Sequence, residues 1–68
     1  MLPPWKKFPE IKRGSIGWRM GHGEDYYYEY TFWFSALPEN SQKAEIIANP
    51  EPSEWEGFYN NLLGQNNR

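Results

Sequence analysis

The chain has no cysteine and no valine. Without thiols, neither a disulfide nor a thiolate-held metal can staple it, a composition that fits a reducing compartment. Aliphatic residues are few, with four leucines and four isoleucines among 68 residues. No stretch approaches the roughly 20 apolar residues of a membrane span. The opening residues, MLPPWKKFPEIKRGS, lack the apolar core of a secretory signal. No internal repeat is present. The expectation is one small cytoplasmic domain over residues 1–68, without a membrane partner and near the lower size limit for an unstapled core.

What the chain does have is aromatic rings. Seven of its thirteen aromatics lie between Glu24 and Leu37, in the run EDYYYEYTFWFSAL. Wound as a helix, this run puts Tyr26, Tyr30, Trp33, Phe34 and Leu37 on one face. Glu24 and Asp25 then sit in the first turn, where carboxylates suit the positive end of the helix dipole. Read as a strand, it alternates just as cleanly, and aromatics favour strands. A strand needs a partner, however, and only Ile11–Met20 is at hand, weakened by Gly14 and Gly17. A lone two-stranded hairpin is marginal in water. The fold expected is therefore mainly α: three helices over 24–37, 39–48 and 54–63, crossed by an extended Pro/Gly-rich N-terminal arm. The alternative is α+β, with a hairpin over 11–34 covered by two C-terminal helices.

The helix reading leaves Tyr28 and Phe32 pointing away from the main face. Either another part of the chain covers this second stripe, or a partner or a second copy does, since large exposed apolar patches mark interaction sites.

Charge divides the chain. Residues 1–23 carry five cations against Glu10, a net of +4, and residues 24–68 carry eight acids against Lys43 and Arg68, a net of −6. A basic arm can reach for nucleic acid or fold back onto an acidic body. Prolines 3, 4 and 9 make the arm irregular or polyproline-like, and Trp5 or Phe8 is expected to settle in a groove of the helices. The other use of the arm is as a peptide offered to another protein. Glycines 14, 17, 21 and 23 announce turns or close backbone approach, with Ile16, Trp18 and Met20 wedged against the body. Their spacing matches neither a P-loop nor a dinucleotide fingerprint, and Glu24 and Asp25 would repel a phosphate.

Toward the C-terminus, Ala44, Ile47 and Ala48 have helical spacing, with Ile46 beside them, and Asn49-Pro50 stops that helix. Ser53-Glu54-Trp55-Glu56 reads as a capping box. Trp55, Phe58, Tyr59, Leu62 and Leu63 follow as an apolar face, expected to pack on Tyr26, Tyr30 and Trp33. Gly64 is placed as a left-handed C-cap, with 65–68 a polar, frayed tail.

Chemistry is sparse. His22 is the sole histidine, and with Glu24 and Asp25 it falls short of the three well-placed ligands of a catalytic zinc. No nucleophile elbow is present, and paired carboxylates would need a cleft that so small a core leaves little room for. Neither an enzyme nor a cofactor or metal site is expected. Tryptophan, tyrosine and arginine dominate interface hot spots. The function expected is a small protein-binding module (adaptor, inhibitor or assembly component) combining surplus aromatic surface with an acidic helical body. Its binding residues would be drawn from Trp5, Phe8, Trp18, Arg19, Tyr28 and Phe32. The alternative is single-stranded nucleic-acid binding by the basic, aromatic arm.

Overall fold

The computed structural model describes residues 1–66, and among them there is no strand. Four α-helices carry the chain: α1 (Pro4–Lys7), α2 (Gly21–Ser35), α3 (Glu39–Ala48) and α4 (Phe58–Asn66). Single 3₁₀ turns at Ile16–Trp18 and Ser53–Trp55 precede α2 and α4. The mainly-α class holds and the 11–34 hairpin is ruled out, because the glycine-rich segment turns instead of extending.

The arm does lie across the helices, but it is not polyproline-like throughout. Pro3 is extended and Pro4 opens a one-turn helix, where its missing N–H is no loss. The Pro3 carbonyl accepts the N–H groups of Lys6 and Lys7. Prolines restrict their predecessors, so nothing after Pro4 opposes a helical turn. Trp5 then lies against Trp55, Phe58 and Tyr59, and Phe8 against Trp18, His22 and Tyr26.

Helix α2 starts three residues earlier than expected, at Gly21 rather than Glu24. Gly23 belongs to its first turn and is buried, and a side chain there would run into the backbone carbonyl of Gly17. The glycines thus let the 3₁₀ turn and the start of α2 touch backbone to backbone. Of the three residues expected to wedge inward, only Trp18 does so, its indole N–H donating to the Ile11 carbonyl at 3.2 Å. Ile16 and Met20 remain exposed.

The C-terminal helix is also reset. Ser53 makes no side-chain cap, and the segment breaks at Gly57, whose φ of +88° is left-handed. Arg13 explains the break: its Nη1 donates to the Glu56 carbonyl at 2.7 Å and approaches that of Glu54 at 3.4 Å. Glu54 returns the contact by accepting the Arg13 backbone N–H at 3.1 Å. The true cap of α4 is Glu51, whose carboxylate accepts the N–H groups of Gly57 at 3.1 Å and Tyr59 at 2.7 Å. Gly64 is inside α4, which continues through Gln65 and Asn66. The rest of the expected tail, residues 67 and 68, lies outside the described residues.

Helix α3 has the bounds expected, but its faces are reversed. Ala44, Ile47 and Ala48 are exposed, while Gln42, Glu45 and Ile46 turn inward. The Gln42 amide donates to the Phe34 carbonyl at 3.0 Å, a second donor to a helix-end acceptor that also takes the Leu37 N–H at 3.1 Å. The Tyr30 hydroxyl donates to Glu45 and that of Tyr59 to the Asn49 carbonyl, each at 2.9 Å. With both protons committed, the 3.5 Å separation of the two hydroxyl oxygens is a contact more than a bond. Hydrogen bonds hold α3 in place.

The core is almost wholly aromatic: Trp18, Tyr30, Phe34, Trp55, Phe58 and Tyr59 with Leu62. Rings from α2 and α4 meet as Tyr30–Phe58, Tyr27–Phe58 and Phe34–Tyr59. Tyr26 and Trp33, expected on this seam, are instead partly buried beside it, Tyr26 under Phe8 and Trp33 against Tyr30.

Candidate functional site

Eleven of the thirteen aromatics are buried or partly so; Tyr28 and Phe32 are not. Tyr28 is 64 % exposed and Phe32 80 %, each four residues from its counterpart on the outer side of α2. At 100° per residue, Asp25, Tyr28, Glu29, Phe32 and Ala36 form one line opposite the core-facing Tyr30 and Phe34. All five residues of that line are exposed. No other segment of the described chain lies over it, so the second stripe stays uncovered.

Beside Phe32 the surface sinks into an open groove of about 570 Å³, lined by Met1, Glu29, Phe32, Trp33, Ala36 and Leu37. Its single charged side chain is Glu29. The groove exists because the N-terminal arm passes the edge of α2, where the Tyr26 hydroxyl donates to the Leu2 carbonyl and brings Met1 alongside. Trp33 and Leu37 form its inner wall, being only partly buried.

The six residues singled out from sequence are not brought together. Tyr28 and Phe32 share the outer line. Trp5, Phe8 and Trp18 are packed into the chain's own core, which leaves little of their faces for an external ligand. Arg19 is exposed and lies across a smaller hollow of about 260 Å³ that Arg13, Gly14, Ser15, Trp18, Tyr27 and Trp55 complete. Arg13 is already committed there, with its guanidinium 5.5 Å from the Trp55 ring and bonded to two carbonyls. The groove residues Met1, Glu29, Ala36, Trp33 and Leu37 escaped sequence reasoning. The last two could have been found as the flank of the apolar face, whereas Met1 carried no signal.

Other titratable groups belong to the scaffold. Burial pushes the Tyr30 phenol far up, helped by the neighbouring Tyr59 hydroxyl and the Glu45 carboxylate. Burial also raises Tyr59, opposed in part by the Tyr30 hydroxyl and supported by Glu45 and Glu51, and raises Tyr26, where Glu29 and Glu45 add to it. All three keep their protons at neutral pH and act as donors. The His22 ring lies 5.4 Å from that of Phe8, and among the described residues no three His, Asp or Glu side chains converge as a metal-binding group. No helix of the described residues is long and apolar enough to cross a membrane. Comparison of the chain with protein families, with curated proteins and with solved structures finds no match.

Proposed function

We propose that this chain is a small protein-binding module whose docking face is the outer line of α2 and the groove beside it. The observation that carries the reading is Phe32. In a chain that covers nearly every ring it has, a phenylalanine 80 % exposed beside an apolar groove is the exception. Aromatic anchors next to pockets are what interface hot spots consist of. Mounting them on α2, the helix that carries Tyr30 and Phe34 of the core, keeps the face rigid and limits the ordering cost of binding.

The nucleic-acid reading needs the rings of Trp5, Phe8 and Trp18 for base stacking, and those rings carry intramolecular contacts. The arm's charge is likewise turned inward in part, through Arg13 and through Lys6, whose Nζ lies 2.6 Å from Asn49 Oδ1.

Position-specific photo-crosslinking in the cell that makes the protein tests this reading. A crosslinking amino acid placed at position 28 or 32 is expected to give a discrete protein adduct, while the same group at the exposed Ile16 or Ile47 gives none. Adducts at all four positions alike, or at none, would remove the proposal.

A further inference from the structure

We infer that the outer line of α2 receives a basic amphipathic helix of another protein, its cations against Asp25 and Glu29 and its apolar residues against Phe32 and the groove. The inference rests on the protein-binding reading above and adds the chemistry of the partner. The line is graded along its length. Its N-terminal half carries the carboxylates of Asp25 and Glu29 with Tyr28 between them, and its C-terminal half carries Phe32 and Ala36. From Asp25 to Ala36 it runs for about three helical turns, the usual reach of helix-in-groove recognition.

Charge selects among the possible occupants. Residues 21–48 hold five carboxylates and a single cation, Lys43, which already faces Glu39 at 3.5 Å. Helix α2 itself contains no lysine or arginine. A wholly apolar partner would strip water from Glu29, on the wall of the groove, and offer no counter-charge. A second copy of the chain fares no better. Two-fold pairing of this line sets its carboxylates against one another or against the copy's rings, with no cation on the line in either direction. A helix bearing lysine or arginine a turn or two from its large apolar residues satisfies both halves at once.

The test is a display library of helical peptides selected on the full chain and counter-selected on Phe32→Asp. That residue's exposure leaves the core untouched by the change, and a thermal melt checks that the variant folds. Enriched peptides are expected to carry lysine or arginine on the same face as large apolar residues. A chain with Asp25→Asn and Glu29→Gln together should bind them at least about tenfold more weakly and with less dependence on salt. Enriched peptides without cations, or unchanged affinity in that double variant, overturn the basic partner while leaving protein binding at this face standing. Failure to select any Phe32-dependent peptide overturns both. A concentration-dependent dimer that Phe32→Asp disperses in sedimentation would make the occupant a second copy, and would overturn the inference as well.

Discussion

Three glycines at the scale of single residues do three different jobs, and only the backbone tells them apart. Gly57 has a φ of +88°, which a side chain makes costly, whereas Gly64 sits in ordinary helix with open space where a Cβ would point. Gly23 has neither positive φ nor room, because the Gly17 carbonyl occupies the place a methyl would take. Alanine at each position should therefore move stability in different directions. Gly64→Ala is expected to gain about 0.5–1 kcal/mol, the usual helix-interior difference, and Gly57→Ala to lose about 1–2 kcal/mol. Gly23→Ala forces two backbone segments apart and should lose about 1–3 kcal/mol or more. Urea unfolding of the four proteins checks the order; a destabilising Gly64→Ala would restore that residue to the helix end where sequence spacing had put it.

The local signals at the scale of elements were right about helices and often wrong about their ends. The aromatic run, the α3 bounds between Pro38 and Asn49, and the apolar face of Phe58, Tyr59 and Leu62 were legible because periodicity and proline are local properties. The start of α4 was not, since it is decided by Arg13, more than forty residues away in sequence. The reversal of α3 has a similar cause. Its docking surface is made of a helix-end carbonyl and two phenols, which call for polar partners, so Gln42 and Glu45 face in and Ile47 faces out, 80 % exposed. The candidate site was half legible: Tyr28 and Phe32 follow from helical spacing, but the groove depends on where the arm comes to rest. The cap assignment makes a sharp prediction. Glu51→Ala removes a carboxylate that accepts two N–H groups at the start of α4 and should lower stability by about 1–2 kcal/mol. Ser53→Ala should change it by less than about 0.5 kcal/mol. The reverse order in thermal unfolding would reinstate the capping box.

The whole molecule is fastened to its aromatic centre by phenol protons. Tyr30 of α2 donates to Glu45 of α3, Tyr59 of α4 to the carbonyl just past α3, and Tyr26 to the arm. Each tie requires a protonated hydroxyl, and burial, with nearby carboxylates adding to it, raises the pKa of all three. Below about pH 10, the tyrosine value in unfolded chains, both states hold these protons and stability does not depend on them. Above it the unfolded chain releases protons that the folded one keeps, so the balance moves toward unfolding. For the two fully covered phenols, Tyr30 and Tyr59, the loss should reach up to about 1.4 kcal/mol per pH unit each. Unfolding free energy measured from about pH 8 to about pH 11 should be level at first and then fall, with part of the phenolate absorbance appearing only as helical circular dichroism is lost. Tyr30→Phe gives the control. It strands the Glu45 carboxylate and should cost about 1–3 kcal/mol at neutral pH, yet its alkaline slope should be shallower because one titrating group has gone. A variant as steep as the parent, or complete phenolate formation in a still-helical protein, would mean that these hydroxyls do not tie the helices together.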